Sequence, residues 1–290
     1  MSETNNITDI NKINIGCIGC GTMGGAIIQS IAQKYTASSI YVSSAHYNKA
    51  KAFADKNRVT ALKTNLEVAE KSDYIFLAVK PAYIKEVLQE IGSAFKKEKV
   101  IISMAAGITL NTLNTHCKTS PLSSNEQDDI MVQPHLIRIM PNLPATVGEA
   151  MTAIAPGSYV TEAELSIVKS LLECAGKAEV VNEKLMDGVT AVSGSGPAYA
   201  FMFIEALANA AVKFGMPSKQ AYIYAAQTLK GAASLALEDG RSISELKDAV
   251  CSPGGTTIEG VIALEKKGFR GTIIDAATAA YNKSIDLGRK

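Results

Sequence analysis

Hydrophobic positions along this chain fall into two regimes. From Ile13 onward, short apolar runs alternate with segments of helical period: Ile13–Ile18, a helix from Met23, Ile40–Ser43, a helix from Asn48, Tyr74–Val79, a helix from Ala82, and Val100–Met104. Such alternation is the pattern of βαβ units and a parallel sheet. Leu136–Met140 and Met151–Ala155 read as further strands, Glu162–Cys174 as a helix and Ala178–Val181 as the last strand. Beyond Val181 the strand signals stop. AYAFMFIEALANAAVKFG and SKQAYIYAAQTLKGAASLALEDG carry an Ala-rich helical period that suits packed helices. The pattern predicts an α/β fold, with a doubly wound sheet over residues 1–183 and an all-helical domain over residues 184–290. The polar first dozen residues read as a mobile tail, and the turn-rich segment 118–133 as an exposed loop.

Composition narrows the functions open to such a fold. With 290 residues, 47% of them hydrophobic, the chain has material for a large core. Lys and Arg total 29 against 28 Asp and Glu, so there is no basic excess to neutralise a phosphate backbone or bind an anionic membrane. No apolar run reaches the roughly 18 to 20 residues of a membrane span, and the opening MSETNNITDINK lacks a basic and then apolar leader. The expectation is a cytoplasmic protein without nucleic-acid or membrane partners. The 5 cysteines are sparse and odd in number, against a disulfide framework. Cys17-x-x-Cys20 has redox or zinc spacing, but no second Cys/His pair follows nearby, and no metal is expected.

Chemistry enters at Gly19-Cys-Gly21-Thr22-Met23-Gly24, a G-x-G-x-x-G between an apolar strand and a helical segment. In that context it is the Rossmann dinucleotide fingerprint. Gly19 permits the tight turn, Gly21 lets the backbone approach a pyrophosphate, and Gly24 lets helix and strand pack closely, while the helix start supplies amide donors. An NAD site usually carries an acid about twenty residues further on. None occurs between Gly25 and Asp55; Ser43, Ser44, His46 and Lys49 stand there instead, which favours the 2'-phosphate of NADP(H), with NAD(H) as the alternative. Val79-Lys80-Pro81 and Ala105-Ala106-Gly107 follow later strands at the carboxyl edge, where open α/β sheets bind ligands, and are assigned to the cofactor together with Asn65.

Six segments taken together, GCGTMGG, LAVKP, SMAAG, IRIMPN, TAVSGSGPAY and SPGGTT, resemble pyrroline-5-carboxylate reductases from about Ile13 to the end of the chain. The chain departs from the family at the 118–133 segment, which looks longer than usual, and at Asn142-Leu-Pro144, where Asn-Thr-Pro is commoner. The resemblance implies reduction of a cyclic imine to L-proline by NAD(P)H. It also implies a dimer of interlocked C-terminal helices that assembles into a larger ring such as a decamer.

The amides of Gly254, Gly255, Thr256 and Thr257 are expected to hold the substrate carboxylate, Ser252 is also assigned to the substrate, and the resemblance implies that Thr257 is the active-site threonine, its hydroxyl hydrogen-bonding the ring nitrogen. An anion site there agrees with a glycine turn running into a helix start; simple helix capping by Thr256 or Thr257 is the plainer alternative. Ser193 and Ser195 are candidate polar contacts, Ser195 toward the substrate, in a segment that equally suits a helix cap. His46, His116 and His135 lie outside these segments, with no partner that suggests a dyad. Two other functions are open to this fold. A β-hydroxyacid dehydrogenase needs a lysine where this chain has Ala200, and a cofactor-binding redox sensor has no use for SPGGTT.

Overall fold

A computed structural model describes residues 12–36, 39–95, 99–118 and 135–288. The polar tail apart from Lys12 falls outside those residues, as does the 118–133 segment apart from Lys118.

Eight strands form one sheet: β1 (Ile15–Ile18), β2 (Ile40–Ser43), β3 (Thr60–Ala61), β4 (Tyr74–Leu77), β5 (Val100–Ser103), β6 (His135–Met140), β7 (Ala150–Pro156) and β8 (Gly176–Val180). Their order is β3-β2-β1-β4-β5-β6-β7-β8. The first six reproduce the Rossmann order. All of those are parallel, whereas β7 runs antiparallel to β6 and β8 runs parallel to β7. The helices between them are α1 (Thr22–Lys34), α2 (Tyr47–Asn57), α3 (Asn65–Lys71), α4 (Ile84–Glu90), α5 (Leu110–Lys118) and α6 (Glu162–Leu172).

Alternation along the strands divides the core between the two faces of the sheet. Tyr74 and Phe76 of β4, with Val100 and Ile102 of β5, pack with Ile27, Ile28 and Ile31 of α1. Ile75, Leu77 and Ile101 point the other way, toward Val68 of α3, Ile84 and Leu88 of α4, and Leu113 of α5. With helices on both faces the central strands are buried throughout, and for that reason they read as continuous apolar runs.

Three elements escaped the periodicity. β3 has 2 residues, too few for a pattern. The helix α3 is announced instead by its cap: Thr64 Oγ1 accepts from Glu67 N while the Glu67 carboxylate accepts from Thr64 N. This is a capping box. The third is α5, which precedes the undescribed segment.

After β8 come a short helix α7 (Met186–Val189), a turn of π-helix at Thr190–Gly194, and then α8 (Gly196–Lys213), α9 (Ser218–Glu238), α10 (Ile243–Val250), α11 (Thr256–Lys266) and α12 (Phe269–Gly288). Packing divides the chain into two compact units, residues up to Gly194 with those from Tyr281 on, and Ser195–Ala280. This division falls eleven residues past the expected 183/184 boundary, because α7 and the π-turn pack with the sheet and the chain's last turns return there. Ser284, buried at 4% exposure, donates to Asp187 Oδ1 at 2.6 Å and fixes that return.

Within Ser195–Ala280 the buried cluster is small: Ala208, Ala221 and Ala225, with Ile204, Ala211 and Met216 against them. These belong to α8, α9 and the turn joining them. Much of the remaining apolar surface is exposed, including Met202 (68%), Phe214 (81%), Leu237 (68%) and Ile274 (64%). Exposed apolar side chains in this number are the composition of an interaction face.

Candidate active site

The three fingerprint glycines have three different reasons. Gly19 adopts φ +104°, and a Cβ there would lie 2.6 Å from the Ala78 carbonyl oxygen. At Gly24 an added Cβ would come within 2.3 Å of Gly19 O and 2.5 Å of Ala78 Cβ, where α1 presses on β1 and β4. Gly21 differs: its φ is an ordinary −74°, and a Cβ would meet no protein atom within 4 Å. Nothing inside the protein demands a glycine at Gly21. Close approach of a ligand would. As the N-cap of α1 it supplies no side chain, and no acidic residue stands in the first turn, so the first amides face outward uncompensated. Thr22 is exposed and Met23 half-buried beside them. The fit to a dinucleotide pyrophosphate is good.

At the end of β2 the expected contacts need correction. Ser43 is buried at 1% exposure and its hydroxyl donates to Asn65 Oδ1 at 2.8 Å, so it positions Asn65 instead of meeting a phosphate. Asn65 in turn donates from Nδ2 to Glu90 Oε2 at 2.6 Å. Glu90 was missed because it arrives from α4, far from the sequence distance at which an acid is sought. Ser44 is half-buried, with its hydroxyl unbonded among the described residues. At the carboxyl edge of β4, Val79 is half-buried while Lys80 and Pro81 are exposed. Beyond β5, Ala106 is exposed, but Ala105 packs into the core. Gly107 is explained by the protein itself: it has φ +75°, and the backbone of Leu287 and Gly288 lies 3.3 Å from where its Cβ would be.

Cys17 and Cys20 flank this turn. Their thiols lie 3.4 Å from the carbonyls of Gly19 and Ser43 respectively. Burial pushes the Cys20 thiol up to about 11 and Cys117 up to about 12. Cys17, fully enclosed, is held well above the ordinary thiol value, by burial first and by its neighbour Cys20 second. Both thiols of the turn therefore stay protonated at neutral pH. The unfolded chain releases these protons first, so stability falls as pH climbs from the ordinary 9.0 through about 11 at Cys20. At pH 7.5, alkylation of the native protein by iodoacetamide is expected to be much slower at Cys17, Cys20 and Cys117 than in urea; equal rates would contradict this burial. Among the described residues no cluster of three or more His, Cys, Asp or Glu is placed to hold a metal.

His135 has an acidic partner after all, Glu164 at 2.7 Å. It opens β6, however, at the edge of the sheet opposite the glycine turn, and Glu164 also caps α6 through Thr161. The pair is structural.

In the second unit, Ser252-Pro253-Gly254-Gly255 is a tight turn closed by Gly255 N donating to Ser252 O at 3.0 Å. Gly254 has φ +68°, as the third residue of a type II turn requires. A Cβ on Gly255 would fall 2.3 Å from Ser252 Oγ. Gly255 is then the N-cap of α11, and no side chain caps it. Thr256 and Thr257 are thus the first two helical residues, not caps, and among the described residues neither hydroxyl is bonded. The capping alternative fails on this geometry. Thr256 is exposed and Thr257 half-buried. Ser195, the N-cap of α8, likewise makes no side-chain cap bond.

A strand, glycine turn and helix at the head of a 3-2-1-4-5-6 sheet, followed by a helical region with its own open helix start, define an oxidoreductase of the Rossmann class. Residues 14–107 match the family model described as NADP oxidoreductase, coenzyme F420-dependent, and residues 183–287 match the model for pyrroline-5-carboxylate reductase dimerisation. The chain is 43% identical to the pyrroline-5-carboxylate reductase of Escherichia coli K12 over 95% of its own length and 98% of the relative's. It is 41% identical to pyrroline-5-carboxylate reductase 3 of Danio rerio, covering 99% and 96%. Among solved structures, a Coxiella burnetii pyrroline-5-carboxylate reductase superposes with TM-score 0.86 at 31% identity, covering 97% and 100%. The Plasmodium falciparum pyrroline carboxylate reductase with NADP bound gives 0.81 at 29%, covering 96% and 99%. The chain belongs to the pyrroline-5-carboxylate reductase family.

Proposed function

We propose that this protein reduces 1-pyrroline-5-carboxylate to L-proline, with NADPH as the preferred donor and NADH as the alternative, in the last step of proline synthesis. The observation that carries this reading is the SPGGTT turn, which leaves a helix start uncapped and the Thr256 and Thr257 hydroxyls unspent. The unit that ends at Gly194 binds the cofactor, and Ser195–Ala280 binds substrate and dimerises. The amides of Gly21, Thr22 and Met23 would hold the pyrophosphate, Ser44 would face the 2'-phosphate, and Asn65, Val79, Lys80, Pro81 and Ala106 would line the rest. When bound, NADPH supplies the hydrogen and electron pair that reduce the C=N carbon.

The chain's own residues bind and orient. The first amides of α11 and the turn at Gly254–Gly255 take the substrate carboxylate, as a helix start favours anions. At Thr257 the hydroxyl hydrogen-bonds the protonated ring nitrogen, fixing which face and which carbon are presented, and Ser195 adds a polar contact. Positioning supplies most of the rate, since oriented reactants gain more than one weak acid contributes.

The exposed apolar face of Ser195–Ala280, in the region matching the dimerisation model, supports burial against a second copy, and dimers assemble into a ring such as a decamer. Among the described residues no helix is long and apolar enough to cross a membrane, and we place the protein in the cytoplasm. The test is the initial rate of NADPH and of NADH oxidation with 1-pyrroline-5-carboxylate. Faster NADPH oxidation with proline as product is expected. Faster NADH oxidation would overturn the cofactor preference, and no turnover with either would overturn the reductase reading.

A further inference from the structure

We propose that Asn142 is a positioning residue for the reaction, acting through the π-turn that leads to Ser195. The proposal rests on the reading of Ser195 as a substrate contact. Asn142 follows β6 at the carboxyl edge of the sheet and begins a 3₁₀ turn, Leu143–Val147, without capping it. Its amide is used elsewhere. Nδ2 donates to both the carbonyl oxygen and the hydroxyl of Ser193, each at 3.2 Å, while Oδ1 accepts from Met151 N at 3.0 Å. The Ser193 hydroxyl donates onward to Met151 O at 3.4 Å. One side chain therefore closes a ring of hydrogen bonds joining the β6–β7 corner to Ser193.

What the ring holds is unusual backbone. Thr190–Gly194 is a single turn of π-helix, a widened turn frequently found at functional sites, and its other end is secured by Thr190 Oγ1 donating to Met186 O at 2.8 Å. Ser195 follows immediately, its hydroxyl free of any capping bond. A residue held one or two positions from such an anchor cannot shift without breaking the ring, and a displacement of about 1 Å at a reacting centre costs on the order of 10²-fold in rate. Asn142 contributes donors to two oxygens of this turn. Aspartate in its place keeps the shape and the acceptor for Met151 N, but sets a second acceptor against two acceptors on Ser193.

Asn142→Asp and Ser193→Ala test this. Asn142→Asp is expected to lower kcat/KM for 1-pyrroline-5-carboxylate by about 10- to 100-fold, with the Kd for NADPH changed less than about threefold. Ser193→Ala keeps its carbonyl as an acceptor for Asn142 and should lower kcat/KM by a smaller factor than Asn142→Asp. Amide hydrogen exchange supplies a readout independent of turnover: residues 190–196 should exchange faster in Asn142→Asp, while residues 19–25 do not. Unchanged exchange over 190–196, or equal losses of NADPH affinity and turnover, would overturn the positioning role. If the wild-type protein fails to reduce the imine, the reductase reading falls, and the exchange comparison still decides whether Asn142 holds the turn.

Discussion

Replacing Thr257 with alanine is expected to cut turnover of 1-pyrroline-5-carboxylate by about 10²-fold or more while leaving the affinity for NADPH and the unfolding midpoint nearly unchanged. The split follows from what Thr257 does not do. It is not the N-cap of α11, a position held by Gly255, and its hydroxyl bonds no protein atom among the described residues. Removing it therefore costs the fold no hydrogen bond, and alanine favours a helix more than threonine does. Thr256, beside it but exposed, is the internal control, and Thr256→Ala should cost far less. Thr257→Ser keeps the hydroxyl and should restore most of the activity. Steady-state kinetics with a parallel thermal scan decide the matter: full activity in Thr257→Ala removes the assigned role, and a large fall in the midpoint makes the role structural.

A second large effect separates two glycines three residues apart. Gly24→Ala drives a Cβ to within 2.3 Å of Gly19 O and 2.5 Å of Ala78 Cβ, where backbone and a packed strand cannot yield cheaply. Overpacking of this kind costs about 1–3 kcal/mol, read as a lower urea midpoint. Gly21→Ala meets nothing within 4 Å and has φ −74°, which alanine adopts freely, so the smaller loss of chain entropy and the poorer N-cap oppose each other and stability should change by less than about 1 kcal/mol. Its cost falls on the ligand, with NADPH affinity down about tenfold or more, equivalent to ~1.4 kcal/mol. Fluorescence titration and urea unfolding of both variants check the pair. Intact NADPH binding in Gly21→Ala would mean that no group approaches that backbone.

How far the sequence disclosed this arrangement depended on the range of each interaction. The βαβ alternation, the glycine turn and the central strands are local or periodic, and they were legible. The capping box at Thr64–Glu67 was also written in the sequence and would have located α3. Long-range pairings were not legible. Ser43 has the right residue type and position for a phosphate contact, yet Asn65, 22 residues on, takes its hydroxyl inward. Gly107 looked like a cofactor contact because the C-terminal residues that crowd it, Leu287 and Gly288, are 180 residues away. The end of the first unit moved for the same reason: the packing of residues 184–194 and of Ser284 against Asp187 joins distant parts of the chain. At SPGGTT the pattern located the turn, but only the geometry showed which residue caps the helix and which hydroxyls are left for a ligand.

The central claim, reduction of a ring C=N by this chain, is tested most directly by isotope. The purified protein is given 1-pyrroline-5-carboxylate with NADPH deuterated at both C4 positions, and the product is analysed by mass spectrometry and NMR. The account predicts L-proline carrying one deuterium, on the ring carbon C5. Absence of proline, or proline formed without the label, would contradict it.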